Sequence, residues 1–239
     1  MSHPQPVHFR DLGNMPYKEA WVLQESLLQE ALQVKALRHQ SAEPVDPATL
    51  PTRHHLLFVE HPPVYTLGKS GKMEHVLIGE AERAGQGIEF YQTNRGGDIT
   101  FHGPDQVVGY PILDLEKFYT DIGKYLRSLE DVVIGTLGEY GIVAGRSAGE
   151  TGVWIDAQVN GRARKICAMG VRCSRWVTMH GFALNVNTDL SYFNHIVPCG
   201  IADKKVTSMR EELGRDVPMG EVKEKLKANF CRVFDVELV

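Results

Sequence analysis

Cys199 stands between Pro198 and Gly200, directly after the apolar pair Ile196-Val197. A cysteine packed as a small hydrophobe lies within an apolar strand or helix face, as the neighbours of Cys167 and Cys231 suggest for those two. Pro-Cys-Gly reads instead as a turn, and turns present side chains to clefts, where a nucleophile meets its substrate. A free thiol has a pKa of about 8.5, so lowering it to ~7 asks for roughly 2 kcal/mol of preferential thiolate stabilisation. A nearby ammonium supplies that, and Lys165 is the candidate. Alternation along its segment sets it with Cys167, Met169 and Val171 on an apolar face and turns Ile166 the other way. The competing reading of Lys165 is an ordinary solvated charge.

A second concentration of polar and glycine residues is Arg95-Gly96-Gly97-Asp98-Ile99-Thr100-Phe101-His102-Gly103-Pro104. Adjacent glycines let backbone approach a ligand closely, and they equally make a glycine-rich hairpin turn capped by an arginine. The four cysteines, Cys167, Cys173, Cys199 and Cys231, form no CxxC pair and have no histidine at zinc-finger spacing. Neither a structural metal nor a disulfide framework is expected, and reduced thiols fit a cytosol.

The elements that must position these residues follow from periodicity. After Asn14, Pro16 suits a first helical turn, and Tyr17, Trp21, Leu28 and Leu32 recur at helical spacing. Residues 41–53, with three prolines and no periodicity, read as an exposed loop. Residues 56–60 and 64–68 read as short strands joined by His61-Pro62-Pro63, and 88–93 as another. Ile122, Leu126, Leu129, Val133 and Leu137 mark a second helix that stops at Gly141. Asn160-Gly161 predicts a tight hairpin before the Lys165 strand, and 180–186 supplies a further strand. Ser208 and Glu211 form a capping box for a short helix ending at Gly214, and Val222, Leu226 and Phe230 mark the last helix. Strands clustered between helices, without strict alternation, predict an α+β single domain with a mainly antiparallel or mixed sheet and flanking helices. A doubly wound sheet is disfavoured.

With 239 residues, 43% hydrophobic and 23% charged, the chain is ordinary globular protein, and residues 1–239 are expected to form one domain. A net charge of −4 argues against a broad positive field for nucleic acid. The opening MSHPQPVHFRDLG lacks the pattern of a secretory signal, and no stretch has the ~20 apolar residues of a membrane span. The expectation is a soluble, cytoplasmic protein with no nucleic-acid and no membrane partner.

The run R-G-G-x-x-T-x-H-x-x-x-Q-x-x-x-Y-P from Arg95 to Pro111 resembles the signature of lipoyl(octanoyl) transferases, as does P-C-G-I at Pro198 to Ile201. Between them, GRARKICAMGVR is similar to the family's lysine strand and TMHGFALNVNTDL to the acyl-site strand that follows. EHPPVYTLG at 60–68 is shared with the wider biotin/lipoate protein ligase superfamily, and the likeness runs from about residue 55 to 213. Two departures stand out: Asp105 replaces a glycine common before the glutamine, and the 41–53 insertion is long.

The resemblance implies the catalytic-domain fold of the biotin/lipoate protein ligases. It implies an octanoyltransferase in which Cys199 is the acyl-thioester nucleophile and Lys165 lowers its pKa, with no cofactor and no metal. Arg95, Gly96, Gly97, Asp98, Ile99, Thr100, Phe101, His102, Ala168, Met169, Gly170, Gly181, Phe182 and Ala183 would line the acyl pocket. Amides of the glycine motif would hold the oxyanion, and His102 would orient the acyl group or merely be hydrogen-bonded in place. The donor would be octanoyl-acyl carrier protein, and the acceptors lipoyl domains of 2-oxoacid dehydrogenase complexes and glycine cleavage H protein. Such partners are usually acidic, and Arg162, Arg164, Lys165, Arg172, Arg175, Lys204 and Lys205 form either a docking patch or a solvated face. The alternatives are an ATP-dependent lipoate or biotin protein ligase, a lipoyl-domain-to-lipoyl-domain amidotransferase, and an idle scaffold binding acyl carrier protein.

Overall fold

The computed structural model of the chain describes residues 4–40, 50–197 and 205–239. In chain order the elements are β1 (Gln5–Asn14), α1 (Tyr17–Gln40), β2 (His54–Glu60), β3 (Val64–Leu67), α2 (Glu80–Gly85), β4 (Glu89–Gln92), β5 (Ile99–His102), β6 (Gln106–Ile112), α3 (Ile122–Gly138), β7 (Ala144–Gly145), β8 (Val153–Ile155), β9 (Arg164–Ser174), β10 (Val177–Asn185), β11 (Lys205–Val206), α4 (Met209–Leu213), α5 (Met219–Phe234) and β12 (Val236–Leu238). The fold is α+β, as the clustering of strands predicts.

The larger sheet runs β12-β1-β2-β6-β10-β9-β8-β7, and β11 joins β9 in parallel. Its centre is antiparallel, whereas β1 lies parallel to both β12 and β2, so the sheet is mixed. Helices cover both faces, which is why β2 is an unbroken apolar run rather than an alternating one. Leu56 and Phe58 turn toward α3 and α5, where Leu129, Val133, Leu226 and Phe230 are buried, and Leu57 and Val59 turn toward Leu28 and Ala31 of α1. The opening helix thus packs by its predicted stripe, Tyr17 and Leu28 fully and Trp21 and Leu32 in part.

A second sheet, β4-β3-β5, has its own small core of Tyr65, Leu67, Ile88, Ile99 and Phe101. The two proline- and glycine-bearing turns, 61–63 and 103–105, each carry the chain between the sheets rather than closing a hairpin. At the second of these Asp105 has φ +59, the left-handed region a glycine enters without cost. Its N–H donates to Glu60 Oε2 at 3.3 Å, and its carbonyl accepts from Asn187 N at 3.1 Å and Thr188 Oγ1 at 2.9 Å. This left-handed turn is therefore kept by contacts around an aspartate.

Three local expectations change. β1 has no counterpart in the sequence reading, because Val7 is its one fully buried residue and its remaining pattern is too polar to show a period. Asn160-Gly161 does not close a two-residue hairpin: β8 and β9 are joined across 156–163, with Gly161 at φ +72 and Asn160 not left-handed. Alternation along β9 is broken where its register against β8 shifts, Val153 facing Cys167 but Trp154 facing Lys165. Ile166 and Cys167 both enter the main core as a result, so Lys165 and Cys167 do not share one simple face. Of residues 41–53, expected as an exposed loop, 41–49 lie outside the described residues. Among those described, no helix is long and apolar enough to cross a membrane.

Candidate active site

Between the two sheets lies a cavity of about 630 Å³, within the size range of small-molecule sites. One wall is the β9–β10 ladder, where Ala168 pairs with Ala183, Met169 with Phe182 and Gly170 with Gly181. The facing wall is the loop 95–98, drawn onto β9 by a bond from Gly96 N to Val171 O at 2.9 Å. Glycine at 170 permits this, since a Cβ there would lie 2.7 Å from Gly96 O. Gly181 serves the opposite neighbour, its missing Cβ leaving room for Gly109 O of β6.

Arg95 is 7% exposed and anchors the loop from below. It donates to Thr66 O and, at 2.9 Å, to Thr66 Oγ1 on β3, and at 3.0 Å to Gly96 O. Asp98 accepts from Ile99 N at 2.7 Å and pairs with His75. In β5, Thr100 and His102 face the cavity, as does Ile99 from the strand's start. Phe101 does not: strand alternation turns it into the small core, where it stacks on Tyr192 at 4.5 Å. Of the glycine-motif amides expected to meet an oxyanion, that of Gly96 is committed to Val171.

One end of the cavity is aromatic and polar. Tyr17, His102, Tyr110 and His180 line it, with His61 packed against Tyr110 from behind. His102 is held by Gln106 Oε1 at 2.9 Å and Thr66 Oγ1 at 3.3 Å and lies parallel to Tyr17, so it is fixed in place and also faces the cavity. His61 bonds Met15 O and Tyr110 Oη, and His180 bonds Asn94 Oδ1 at 2.8 Å. Burial keeps all three rings neutral, lowering His61 to about 4, His180 to about 3 and His102 well below its ordinary value. Tyr17, Gln106, Tyr110 and His180 were not assigned to a site on sequence grounds. Gln106 and Tyr110 nonetheless belong to the Arg95–Pro111 run, and His180 directly precedes Gly181.

Lys165 also lines the cavity, 8% exposed, with Nζ 4.6 Å above the Trp154 ring. Its backbone is paired on both sides, with Trp154 of β8 and Val206 of β11, and its carbonyl accepts from Thr207 N at 2.9 Å. Residues 198–204, and so Cys199, lie outside the described residues. The flanking chain is anchored: Val197 N bonds His75 O at 2.9 Å, and Lys205 and Val206 pair with Arg164 and Lys165. Cys167 is fully buried, and burial pushes its thiol up, far from reactivity.

Among the described residues, three of the arginines expected in the docking patch or solvated face have acidic partners. Arg164 is taken up by Glu212 and Asp156, both at 2.6 Å, Arg162 pairs with Asp156 at 3.3 Å, and Arg172 pairs with Glu25 at 2.6 Å. Lys165 faces the cavity, Arg175 lies in the turn at the far end of β9, and Lys204 is outside the described residues. Among the described residues no group of three His, Cys, Asp or Glu side chains is placed to hold a metal ion.

The family profile of the lipoyl protein ligase A/B catalytic domain matches residues 16–231. A protein of Christiangramia forsetii named octanoyltransferase is 56% identical over 233 residues, 97% of either chain. The chain belongs to the octanoyltransferase family. A second octanoyltransferase, of Flavobacterium johnsoniae, is 56% identical over 98% of either chain. Membership makes this chain an acyltransferase. The same fold occurs in a bipartite lipoate protein ligase of Thermoplasma acidophilum, at a TM-score of 0.69 and 17% identity, covering 98% of this chain and 86% of that one.

Proposed function

We propose that this octanoyltransferase-family chain is a single cytoplasmic catalytic domain that moves octanoyl from acyl carrier protein to a lysine of lipoyl domains, through a thioester on Cys199. The observation that carries the reading is the pairing of β11, which follows the Cys199 segment, with the backbone of Lys165 at the cavity. That pairing sets the chain that resumes at Lys205 beside the cavity's lysine. The resemblance at Arg95–Pro111 and Pro198–Ile201 and the relatives' names support the same substrate class.

In the first half-reaction Cys199 Sγ attacks the carrier thioester carbonyl, the C–S bond to the carrier breaks, and the carrier leaves as thiol with the proton shuttled from Cys199 by Lys165. In the second, the acceptor lysine amine attacks the enzyme thioester, Cys199 leaves as thiolate, and Lys165 relays the amine's proton. Both donors are thioesters, so the sequence needs no nucleotide. The chain's seven apolar carbons gain about 0.8 kcal/mol per buried methylene against a wall such as Ala168, Met169, Phe182 and Ala183. Arg95, Gly96, Gly97, Asp98, Ile99, Thr100 and His102 would complete that pocket, with Phe101 behind it. The acceptors fitting this reading are lipoyl domains of 2-oxoacid dehydrogenase complexes and glycine cleavage H protein.

The test supplies octanoyl-acyl carrier protein and a lipoyl domain without nucleotide. Octanoylated lipoyl domain is the expected product. Modification that occurs only with free octanoate and ATP would make the chain a ligase.

A further inference from the structure

Glu130 is a buried carboxylate that the mechanism above does not use. It sits on α3 among Leu129, Val132 and Val133, wholly excluded from solvent. Its Oε2 accepts from Arg127 Nη1 at 2.6 Å and Arg146 Nε at 2.7 Å, and its Oε1 accepts from the backbone N–H of Gly152 at 3.0 Å. Arg146 is itself held by Arg127 O at 2.9 Å and by Asp131. A buried carboxylate is costly unless fully paired, and an apolar side chain would pack this position of the helix at no such cost. The arrangement spends two arginines to fix one backbone amide.

That amide adjoins Lys165. Gly152 has φ +120, and a Cβ on it would lie 2.7 Å from Cys167 O and 3.5 Å from Lys165 Cε. Two residues on, the Trp154 ring lies under Lys165 Nζ. Residues 152–154 therefore wall the slot in which the lysine stem and head lie, and Glu130 fastens this wall at its first residue. The loop just before it contributes Gly149, Glu150 and Thr151 to the cavity. The next charged residue along β9, Arg164, is engaged with Glu212 and Asp156 and takes no part.

We infer that Glu130, clamped by Arg127 and Arg146, is a positioning residue that holds Gly152 and Trp154 so that Lys165 is presented to the cavity. The inference rests on the reading of Lys165 as the proton relay. Glu130 does not touch substrate; its effect passes through the lysine. Glutamine at 130 keeps one acceptor oxygen, so its NH2 would face either the two guanidinium donors or the Gly152 N–H, and the clamp would be released.

The experiment measures the rate at which Lys165 is acetylated by acetic anhydride, by peptide mass mapping, beside steady-state kinetics with octanoyl-acyl carrier protein. Glu130→Gln and Arg146→Met are compared with the unaltered chain, with exposed Lys72 as the internal reference. Both variants are expected to label Lys165 several-fold faster, with Lys72 unchanged. In Glu130→Gln kcat should fall by about tenfold or more while KM for the donor stays within about twofold, since a small misplacement of a reacting group is costly in rate. Arg146 is partly exposed, so Arg146→Met decides alone if Glu130→Gln does not fold. Wild-type labelling of Lys165 in both variants, or in Arg146→Met alone in that case, overturns the inference. Lys165→Ala separates the two layers: full turnover in that variant removes the lysine's role itself. Loss of turnover there with unchanged labelling in the Glu130 and Arg146 variants removes only Glu130's.

Discussion

A cysteine flanked in sequence by proline and glycine and a lysine whose head lies over a tryptophan make different demands, and each can be removed singly. Cys199→Ala should abolish turnover, while Cys167→Ala and Cys231→Ala retain it, since Cys167 is sealed in the main core. Steady-state rates of the three variants check this, and a loss confined to Cys167→Ala would move the nucleophile. Lys165→Ala should raise the pH at which Cys199 reacts with iodoacetamide, because an ammonium beside a thiol favours the thiolate. An unchanged alkylation profile would place the lysine elsewhere. The buried histidines add a pH dependence of stability. His61 and His180 titrate near 4 and 3 when folded against ~6.5 when unfolded, so the unfolded chain binds the extra protons. Their stabilising contribution is whole above pH ~6.5 and is lost as pH falls toward the folded values, roughly 2 kcal/mol each by pH 5. His180→Gln should flatten the fall in unfolding free energy between pH 7 and 5 by about one proton's worth, and an equal slope would show that His180 is charged in the fold.

The elements differ in how plainly they were written. α4 is legible at both ends: Ser208 accepts from Glu211 N at 3.2 Å, the N-cap half of the expected capping box, and Gly214 ends the helix at φ +66, as a C-terminal glycine requires. Ser208→Ala should therefore cost about 1 kcal/mol in urea unfolding, and a change within error would mean that tertiary contacts alone hold α4. α1, α3 and α5 were legible because their apolar stripes keep helical spacing. β1 was not, since pairing with β2 and β12 rather than side-chain burial makes it a strand. The β9 irregularity was hidden for another reason: alternation assumes a regular register, and only the partner strand reveals the shift at Val153 and Trp154. The site follows the same division. Arg95 to Thr100, His102 and the two glycines, 170 and 181, line the cavity as the motifs lead one to expect, whereas Gln106 and Tyr110 carry no such expectation although they stand in the same run, and Tyr17 reaches the cavity from a helix distant in sequence. Phe101 departs from the expectation because a motif names a stretch and the strand divides it between two faces.

The whole molecule joins a large mixed sheet, covered by helices on both faces, to a small sheet that the chain enters through one short turn, 61–63, and leaves through another, 103–105. The cavity lies where loop 95–98, between β4 and β5 of the small sheet, meets β9 of the large one, so neither sheet alone forms the site. Arg164 and Arg172, near the two ends of β9, are each paired with an acidic side chain of the same chain. This architecture is common to ligases and transferases, and the donor separates the two chemistries. The most direct measurement is the intact mass of the protein after incubation with octanoyl-acyl carrier protein alone, without nucleotide or acceptor. The account predicts one added octanoyl group that is released by hydroxylamine, passes to a lipoyl domain on its addition, and is absent in Cys199→Ala. No adduct on the unaltered chain, together with equal modification of a lipoyl domain from octanoate and ATP by the unaltered chain and by Cys199→Ala, would contradict it.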